Sequence, residues 1–114
     1  MFVSFYITKN KEVIKIRYCC RNYNSKTINY NEMIHLANSQ VITIIDVRSK
    51  QEYNEGHLDG AINIPLFDIK MDIKNHIADK NRIIVVYCDA GVRSLKAQKV
   101  LNMQGYKNVY NLEL

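Results

Sequence analysis

The residues best suited to chemistry follow an apolar run in the second half of the chain. The run Ile83–Tyr87 predicts a buried strand, Cys88 comes directly after it, and four residues separate Cys88 from Arg93. In open α/β sheets, functional groups sit just beyond the carboxyl ends of strands. A tight loop that leads into a helix points its backbone N–H groups inward, and such a nest stabilises a thiolate. We therefore expect Cys88 to have a lowered pKa and to act as a nucleophile.

The loop after Cys88 contains residue types that suit the binding of an anion. Gly91 lets the backbone turn without a Cβ clash, and Arg93 supplies a fork-shaped donor for an oxyanion. Many cysteines are no more than small hydrophobic side chains, and we interpret Cys19 and Cys20 in that way. For Cys88, the strand end, the glycine, the arginine and the helix start all favour the nucleophile.

Short strands and short helices alternate from residue 27 onward. Predicted strands cover residues 41–45, 61–63, 83–87 and 107–111, and predicted helices cover residues 29–36, 49–55, 66–77 and 94–104. Two of the helices start with a capping pair, Asn29 with Glu32 and Ser49 with Glu52. This alternation predicts an α/β fold, with a mostly parallel sheet and helices on both faces.

The first 24 residues differ from the rest of the chain. Two stretches rich in β-branched and aromatic residues, 2–7 and 13–18, flank a polar segment and predict two strands in a hairpin. Because a single hairpin is not stable alone, we expect it to bury Phe5 or its apolar neighbours. Docking on its own domain is favoured over dimer formation. The chain is thus divided into an N-terminal β extension, residues 1–24, and one domain, residues 25–114.

Charge and composition exclude several classes of protein. The net charge of +5 lies entirely within residues 1–26, while residues 27–114 carry ten basic and ten acidic side chains. We therefore expect no nucleic-acid partner. The chain has no apolar run near the ~18 residues of a membrane helix and no signal-peptide pattern, so we expect no membrane association. Three cysteines are an odd number, which favours a reducing cytoplasm over a disulfide framework.

Two motifs of the sequence resemble the single-domain rhodanese-like sulfurtransferases. The first motif reads Ile-Asp-Val-Arg at residues 45–48, Glu-Tyr at 52–53 and Gly-His-Leu-Asp-Gly-Ala-Ile-Asn-Ile-Pro at 56–65. The second reads Val-Tyr-Cys-Asp-Ala-Gly-Val-Arg-Ser at 86–94 and Gly-Tyr-Lys-Asn-Val-Tyr-Asn-Leu at 105–112. The resemblance covers residues 27–114 and implies a five-stranded parallel sheet flanked by helices. It also implies a cysteine that accepts sulfane sulfur, becomes a persulfide and passes the sulfur to cyanide or a thiol.

The resemblance assigns roles to the residues that match its motifs. Cys88 matches the sulfur carrier. In the family, a loop after this cysteine cradles the outer sulfur with its backbone N–H groups. The residues that match this loop are Asp89, Ala90, Gly91, Val92 and Arg93. Arg93 closes this loop and is expected to hold the oxyanion of the donor, while Ser94 is expected to cap the following helix.

Other charged residues of the first motif fit more than one role. Asp46 and Arg48 match positions next to the site, where they form either a catalytic pair or a buried ion pair that steadies the loop. His57 has the chemistry of a general base, but the matching histidine of the motif is associated with a turn, and we interpret His57 as structural.

Two other functions stay open as alternatives. Related cysteine-loop phosphatases and arsenate reductases place five residues between cysteine and arginine, whereas the four residues here fit one sulfur atom better than a phosphate. Non-catalytic interaction modules on the same fold often lose the cysteine, which this chain keeps.

The expected partners are a small sulfur donor and a thiol acceptor, either a small molecule or a protein, with the chain a monomer or a weak dimer. No metal or other cofactor is expected, because the cysteines and the three histidines lack the spacing of zinc ligands.

The sequence departs from the family pattern near its end. The family usually continues past the last strand with Gly-Gly and a downstream Trp, but this sequence has Leu-Glu-Leu at residues 112–114 and contains no Trp. We expect the final helix of the family to be either absent or cut off, and the N-terminal segment either to cover the surface that this helix leaves or to mediate self-association.

Overall fold

The computed structural model describes residues 2–9, 12–19 and 25–114, with side chains from Lys26 onward. In chain order, the elements of these ranges are β1 (Phe2–Lys9), β2 (Glu12–Cys19), β3 (Ser25–Asn29), α1 (Tyr30–Ser39), β4 (Ile42–Asp46), α2 (Lys50–Glu55), β5 (Ile62–Asn63), α3 (Leu66–His76), β6 (Ile83–Tyr87), α4 (Val92–Met103) and β7 (Asn108–Glu113). Within these ranges, every helix is too short or too polar to cross a membrane.

The strands form one sheet in the order β1-β2-β3-β7-β6-β4-β5. The five strands from β3 to β5 in this order run parallel, as the alternation of elements predicts. The two N-terminal strands are antiparallel to their neighbours and extend the sheet beyond β3. Because β4 and β6 are parallel neighbours, the segments that follow them leave from the same edge of the sheet.

Side chains of β6 alternate between the two faces of the sheet. Ile84 and Val86 pack with α3 and α4 in one buried cluster. Val85 and Tyr87 pack on the opposite face, in a cluster that contains residues of α1. Helices therefore cover both faces, as predicted, and the period of two places Cys88 on the α4 side.

The two predicted helix starts are confirmed. At α1, the Asn29 side chain accepts a hydrogen bond from the Glu32 N–H at 2.8 Å, and the Glu32 carboxylate accepts one from the Asn29 N–H at 3.0 Å. At α2, Ser49 and Glu52 form the same reciprocal pair. Each pair satisfies two N–H groups that have no partner within the helix.

Most element ends differ from the sequence-based prediction by one to three residues. Two differences, the start of α4 and the presence of strand β3, have a clear physical reason. Helix α4 begins at Val92 rather than at Ser94, because Gly91 adopts a left-handed conformation (φ 86°) and ends the loop two residues earlier. The pattern analysis also gives no strand at β3, because this segment is short and polar and runs directly into the cap of α1.

The N-terminal strands pair with each other along their whole length, from Phe2 opposite Cys19 to Lys9 opposite Glu12. Strand β2 joins β3 through two residue pairs, of which one is Cys19 with Ser25. The prediction that Phe5 is buried falls on a side chain that the structure does not describe. Cys20 also lies outside the described residues.

Candidate active site

Cys88 lies at the carboxyl end of β6 with a side chain that is 2% exposed. Its Sγ accepts hydrogen bonds from the backbone N–H groups of Gly91 at 3.1 Å and Ser94 at 3.4 Å. The Ser94 hydroxyl also lies 3.4 Å from Sγ. The sulfur therefore sits in a nest of N–H and O–H groups at the start of α4, where negative charge is stabilised.

The nest decides the sign of the pKa shift of Cys88. Burial raises the pKa of the thiol, because it disfavours the charged form. The hydrogen bonds from the Ser94 side chain and from the backbone of Ser94, Gly91 and Arg93 act in the opposite direction and together outweigh burial. The pKa of Cys88 thus lies below its usual value, as the sequence predicts for a nucleophilic cysteine.

Ser94 does not cap α4, contrary to the sequence-based expectation. It is the third residue of that helix, and Gly91 occupies the N-cap position without a side-chain hydrogen bond. The Ser94 hydroxyl instead donates to the Gly91 carbonyl at 3.1 Å and accepts a hydrogen bond from the Cys88 thiol at 3.4 Å. When Cys88 ionises, the hydroxyl can turn its one hydrogen towards the sulfur. Its buried side chain braces the loop from the inside.

The rest of the loop is open to solvent on its outer side. The side chains of Asp89, Ala90 and Val92 are exposed. An open groove of about 610 Å³ runs beside them, towards Leu112 of β7. A substrate can therefore approach the loop from this side.

Arg93 forms an ion pair with Glu52, to which the sequence analysis gives only the role of a helix cap. Its two terminal nitrogens, Nη1 and Nη2, donate to Oε1 and Oε2 of Glu52 at 2.7 Å and 3.0 Å. Glu52 belongs to α2, so the pair connects α2 to the loop after β6. The guanidinium holds the pKa of the Glu52 carboxyl at about 2, far below its usual range. Glu52 is therefore a site residue that sequence reasoning missed, although the Glu-Tyr of the first motif gave a signal.

Asp46 and Arg48 form a close ion pair at the end of β4. The Arg48 Nη2 donates to the fully buried Asp46 carboxylate at 2.7 Å, and its Nε donates to the same carboxylate. Arg48 also donates to the Gly56 carbonyl at 2.6 Å and lies over the Tyr87 ring. The hydrogen bonds to Asp46 raise the pKa of Arg48 above its usual value, so the guanidinium stays charged.

Tyr87, which sequence reasoning treats only as a strand residue, extends this network. Its hydroxyl donates to Asp46 at 2.9 Å and accepts a hydrogen bond from the Leu58 N–H at 2.9 Å. Burial raises the pKa of this hydroxyl, so it remains a donor. Since Tyr87 precedes Cys88, the network fixes the backbone from which the sulfur projects.

His57 lies in the turn after α2 and is exposed. Its ring stacks on the Tyr53 ring with centroids 3.7 Å apart, and Nδ1 lies 2.9 Å from the Tyr53 carbonyl. These contacts fit the structural reading of this histidine. In the described ranges, no group of three or more His, Cys, Asp or Glu side chains has the arrangement of a metal site.

The fold and the site geometry agree with the comparison with known proteins. The family described as "Rhodanese-like domain" matches residues 29–114. The chain belongs to this family. It is 45% identical over 67 residues to the thiosulfate sulfurtransferase PspE of Escherichia coli, covering 59% of this chain and 64% of that protein. It is 32% identical over 88 residues to the thiosulfate sulfurtransferase GlpE of Shewanella oneidensis, covering 77% and 85%.

Longer proteins and a solved structure are also similar. A tRNA uridine(34) hydroxylase of Buchnera aphidicola is 38% identical over 88 residues, which cover 73% of this chain but 27% of that protein. The chain thus spans less than two thirds of the length of PspE and of the hydroxylase. A rhodanese of E. coli solved with anions superimposes with a TM-score of 0.60 at 42% identity, covering 62% of this chain and 84% of that one.

Proposed function

We propose that the chain is a rhodanese-type sulfurtransferase in which Cys88 carries sulfur as a persulfide. The observation that carries this proposal is the nest around Sγ, in which Gly91 and Ser94 donate backbone hydrogen bonds to a cysteine of lowered pKa. Membership of the rhodanese-like family and the relatives named thiosulfate sulfurtransferase support it. The odd cysteine count favours a reducing cytoplasm as its location.

The reaction proceeds in two displacements at sulfur. The Cys88 thiolate attacks the outer sulfur of thiosulfate or of a persulfide donor, and the S–S bond of the donor breaks. Sulfite, or the thiolate of the donor, leaves with the electron pair, and Cys88 becomes a persulfide anion. A thiolate or cyanide then attacks the outer sulfur and regenerates the Cys88 thiolate.

The loop residues have distinct parts in this scheme. In this proposal, the N–H groups of residues 89–93 cradle the outer sulfur of the persulfide, next to the Gly91 and Ser94 N–H groups that donate to Sγ. The left-handed Gly91 gives the loop its inward turn. The Asp46–Arg48 pair and Tyr87 steady the strand ends. The groove beside the loop gives the acceptor access.

The two alternative functions predict other outcomes. A cysteine-loop phosphatase or arsenate reductase would release phosphate or reduce arsenate, and an interaction module would leave Cys88 unmodified. The loop of four residues between Cys88 and Arg93 favours the binding of a single sulfur atom over that of a tetrahedral oxyanion.

Intact-mass analysis after incubation with thiosulfate or a small persulfide tests the proposal. We expect a gain of about 32 Da, one sulfur atom, at Cys88 and not at Cys19 or Cys20. Cys88→Ser should keep the fold, because serine has nearly the same volume, and should lose sulfur transfer to cyanide. Peptide mapping that puts the stable added sulfur on Cys19 or Cys20 would overturn the assignment.

A further inference from the structure

Both arginines beside the cysteine already have carboxylate partners. The fork of Arg93 is filled by the two oxygens of Glu52 at 2.7 Å and 3.0 Å. Arg48 donates through Nε and Nη2 to Asp46 at 3.0 Å and 2.7 Å. Neither guanidinium therefore offers its full charge or its paired donors to a substrate.

A third carboxylate lies between these two pairs. Asp89 of the active loop is 3.4 Å from Arg48 Nη1 and 3.9 Å from Arg93 Nη2. Three carboxylates thus face two guanidinium groups, and these five groups carry one net negative charge. Formation of the Cys88 thiolate adds a second negative charge to the same site.

This charge balance discriminates between classes of sulfur donor. Thiosulfate is a dianion, so it meets a site of like charge, and its sulfonate oxygens can use the Arg93 fork only after Glu52 is displaced. A persulfide whose negative sulfur is balanced by a nearby cation meets no such repulsion. The backbone hydrogen bonds from Gly91 and Ser94 to Cys88 Sγ are the same for either donor.

On the basis of the proposed sulfurtransferase function, we propose that Glu52 is a specificity-determining residue that selects persulfide donors of low net charge over thiosulfate. It acts by occupying the Arg93 fork with its own carboxylate. The donor class assigned to the site is thus a zwitterionic or cationic persulfide, attached to a small molecule or to a basic protein segment.

The rate of Cys88 persulfidation with two donors tests this proposal. The donors are thiosulfate and cysteamine persulfide, a zwitterion whose ammonium group balances its persulfide. For Glu52→Gln, we expect the ratio of the thiosulfate to the cysteamine persulfide rate constant to rise at least about fivefold over the wild-type ratio. Glutamine keeps the reciprocal cap with Ser49, so α2 should remain folded.

Matched variants separate the local effect from a general change of charge. Glu55→Gln removes one negative charge from the same helix at an exposed residue that lacks an arginine partner among the described contacts, and should leave the ratio unchanged. Glu52→Gln combined with Arg93→Ala should lose the gain, because the freed fork is absent. If Glu52→Gln does not fold, Asp89→Asn replaces it and should raise the ratio in the same direction.

The outcomes distinguish this proposal from the function on which it rests. A ratio that rises less than about fivefold in Glu52→Gln, or an equal rise in Glu55→Gln, overturns the role of Glu52 while the wild type still gains sulfur at Cys88. A wild-type chain that gains no sulfur from either donor overturns the proposed function itself.

Discussion

The chemistry of Cys88 results from two opposing effects on one sulfur atom. Burial at 2% exposure favours the neutral thiol, whereas the hydrogen bonds of the loop favour the thiolate. The Ser94 side chain is the largest of the contributions that lower the pKa. A side chain expected to cap a helix therefore tunes the nucleophile instead.

Replacing Ser94 with alanine should raise the pKa of Cys88. The variant loses the hydroxyl contact with Sγ, while the backbone N–H groups of Gly91 and Ser94 remain. Alkylation of Cys88 by iodoacetamide should slow roughly two- to tenfold near pH 7, the size expected for one hydrogen bond. The pH profile of this rate should move to higher pH.

A distant serine provides the control for this measurement. Ser39 is an exposed residue at the end of α1, and Ser39→Ala should leave the alkylation profile of Cys88 unchanged. An unchanged profile in Ser94→Ala would contradict the role of its hydroxyl and leave the backbone N–H groups as the source of the lowered pKa.

At the scale of the elements, local patterns predict much of the structure, but contacts between distant segments do not follow from them. Strand β6 and the caps of α1 and α2 are predicted because the signal lies within a few neighbouring residues. The Glu52–Arg93 pair joins residues 41 positions apart, and its formation depends on the parallel pairing of β4 with β6. Strand β3 escapes prediction because its stability comes from β7, not from its own sequence.

The ion pair between Glu52 of α2 and Arg93 of the active loop should make the unfolding free energy depend on pH. Because Arg93 lowers the pKa of Glu52 to about 2, the stabilisation is fully present above the ordinary carboxyl pKa near 4.5 and is lost as the pH falls towards 2. The difference in unfolding free energy between the wild type and Glu52→Gln should therefore shrink from about pH 6 down to about pH 2.5.

Urea unfolding at a series of pH values measures this difference. High salt should reduce it at every pH, because both side chains are partly exposed, at 38% for Arg93 and 31% for Glu52. Glu55→Gln serves as the control for the general loss of a carboxylate. A difference that stays constant down to the lowest pH would show that Glu52 does not stabilise the fold through its charge.

At the scale of the whole molecule, the sheet has two parts with different charge. The parallel strands β3 to β7 carry the site and belong to residues 25–114, which have 11 basic and 10 acidic side chains, whereas residues 1–24 have five basic side chains and one acidic side chain. Strand β2 pairs with the first two residues of β3 and so covers part of an edge that would otherwise expose unpaired N–H and C=O groups. We propose that residues 1–24 are an extension that stabilises the domain formed by residues 25–114.

Deletion of residues 1–24 should lower the melting temperature by at least about 4 °C, the change expected for roughly 1 kcal/mol in a domain of this size. The deletion removes two strands from the sheet and leaves β3 as an edge, so new association between copies is also expected. Thermal unfolding and the elution volume in size-exclusion chromatography report the two effects.

A full-length variant with the basic residues of the extension changed to glutamine keeps both strands, and should keep the melting temperature if the pairing, and not the charge, is responsible. An unchanged melting temperature together with an unchanged elution volume in the deletion variant would mean that the extension neither stabilises the domain nor shields its edge.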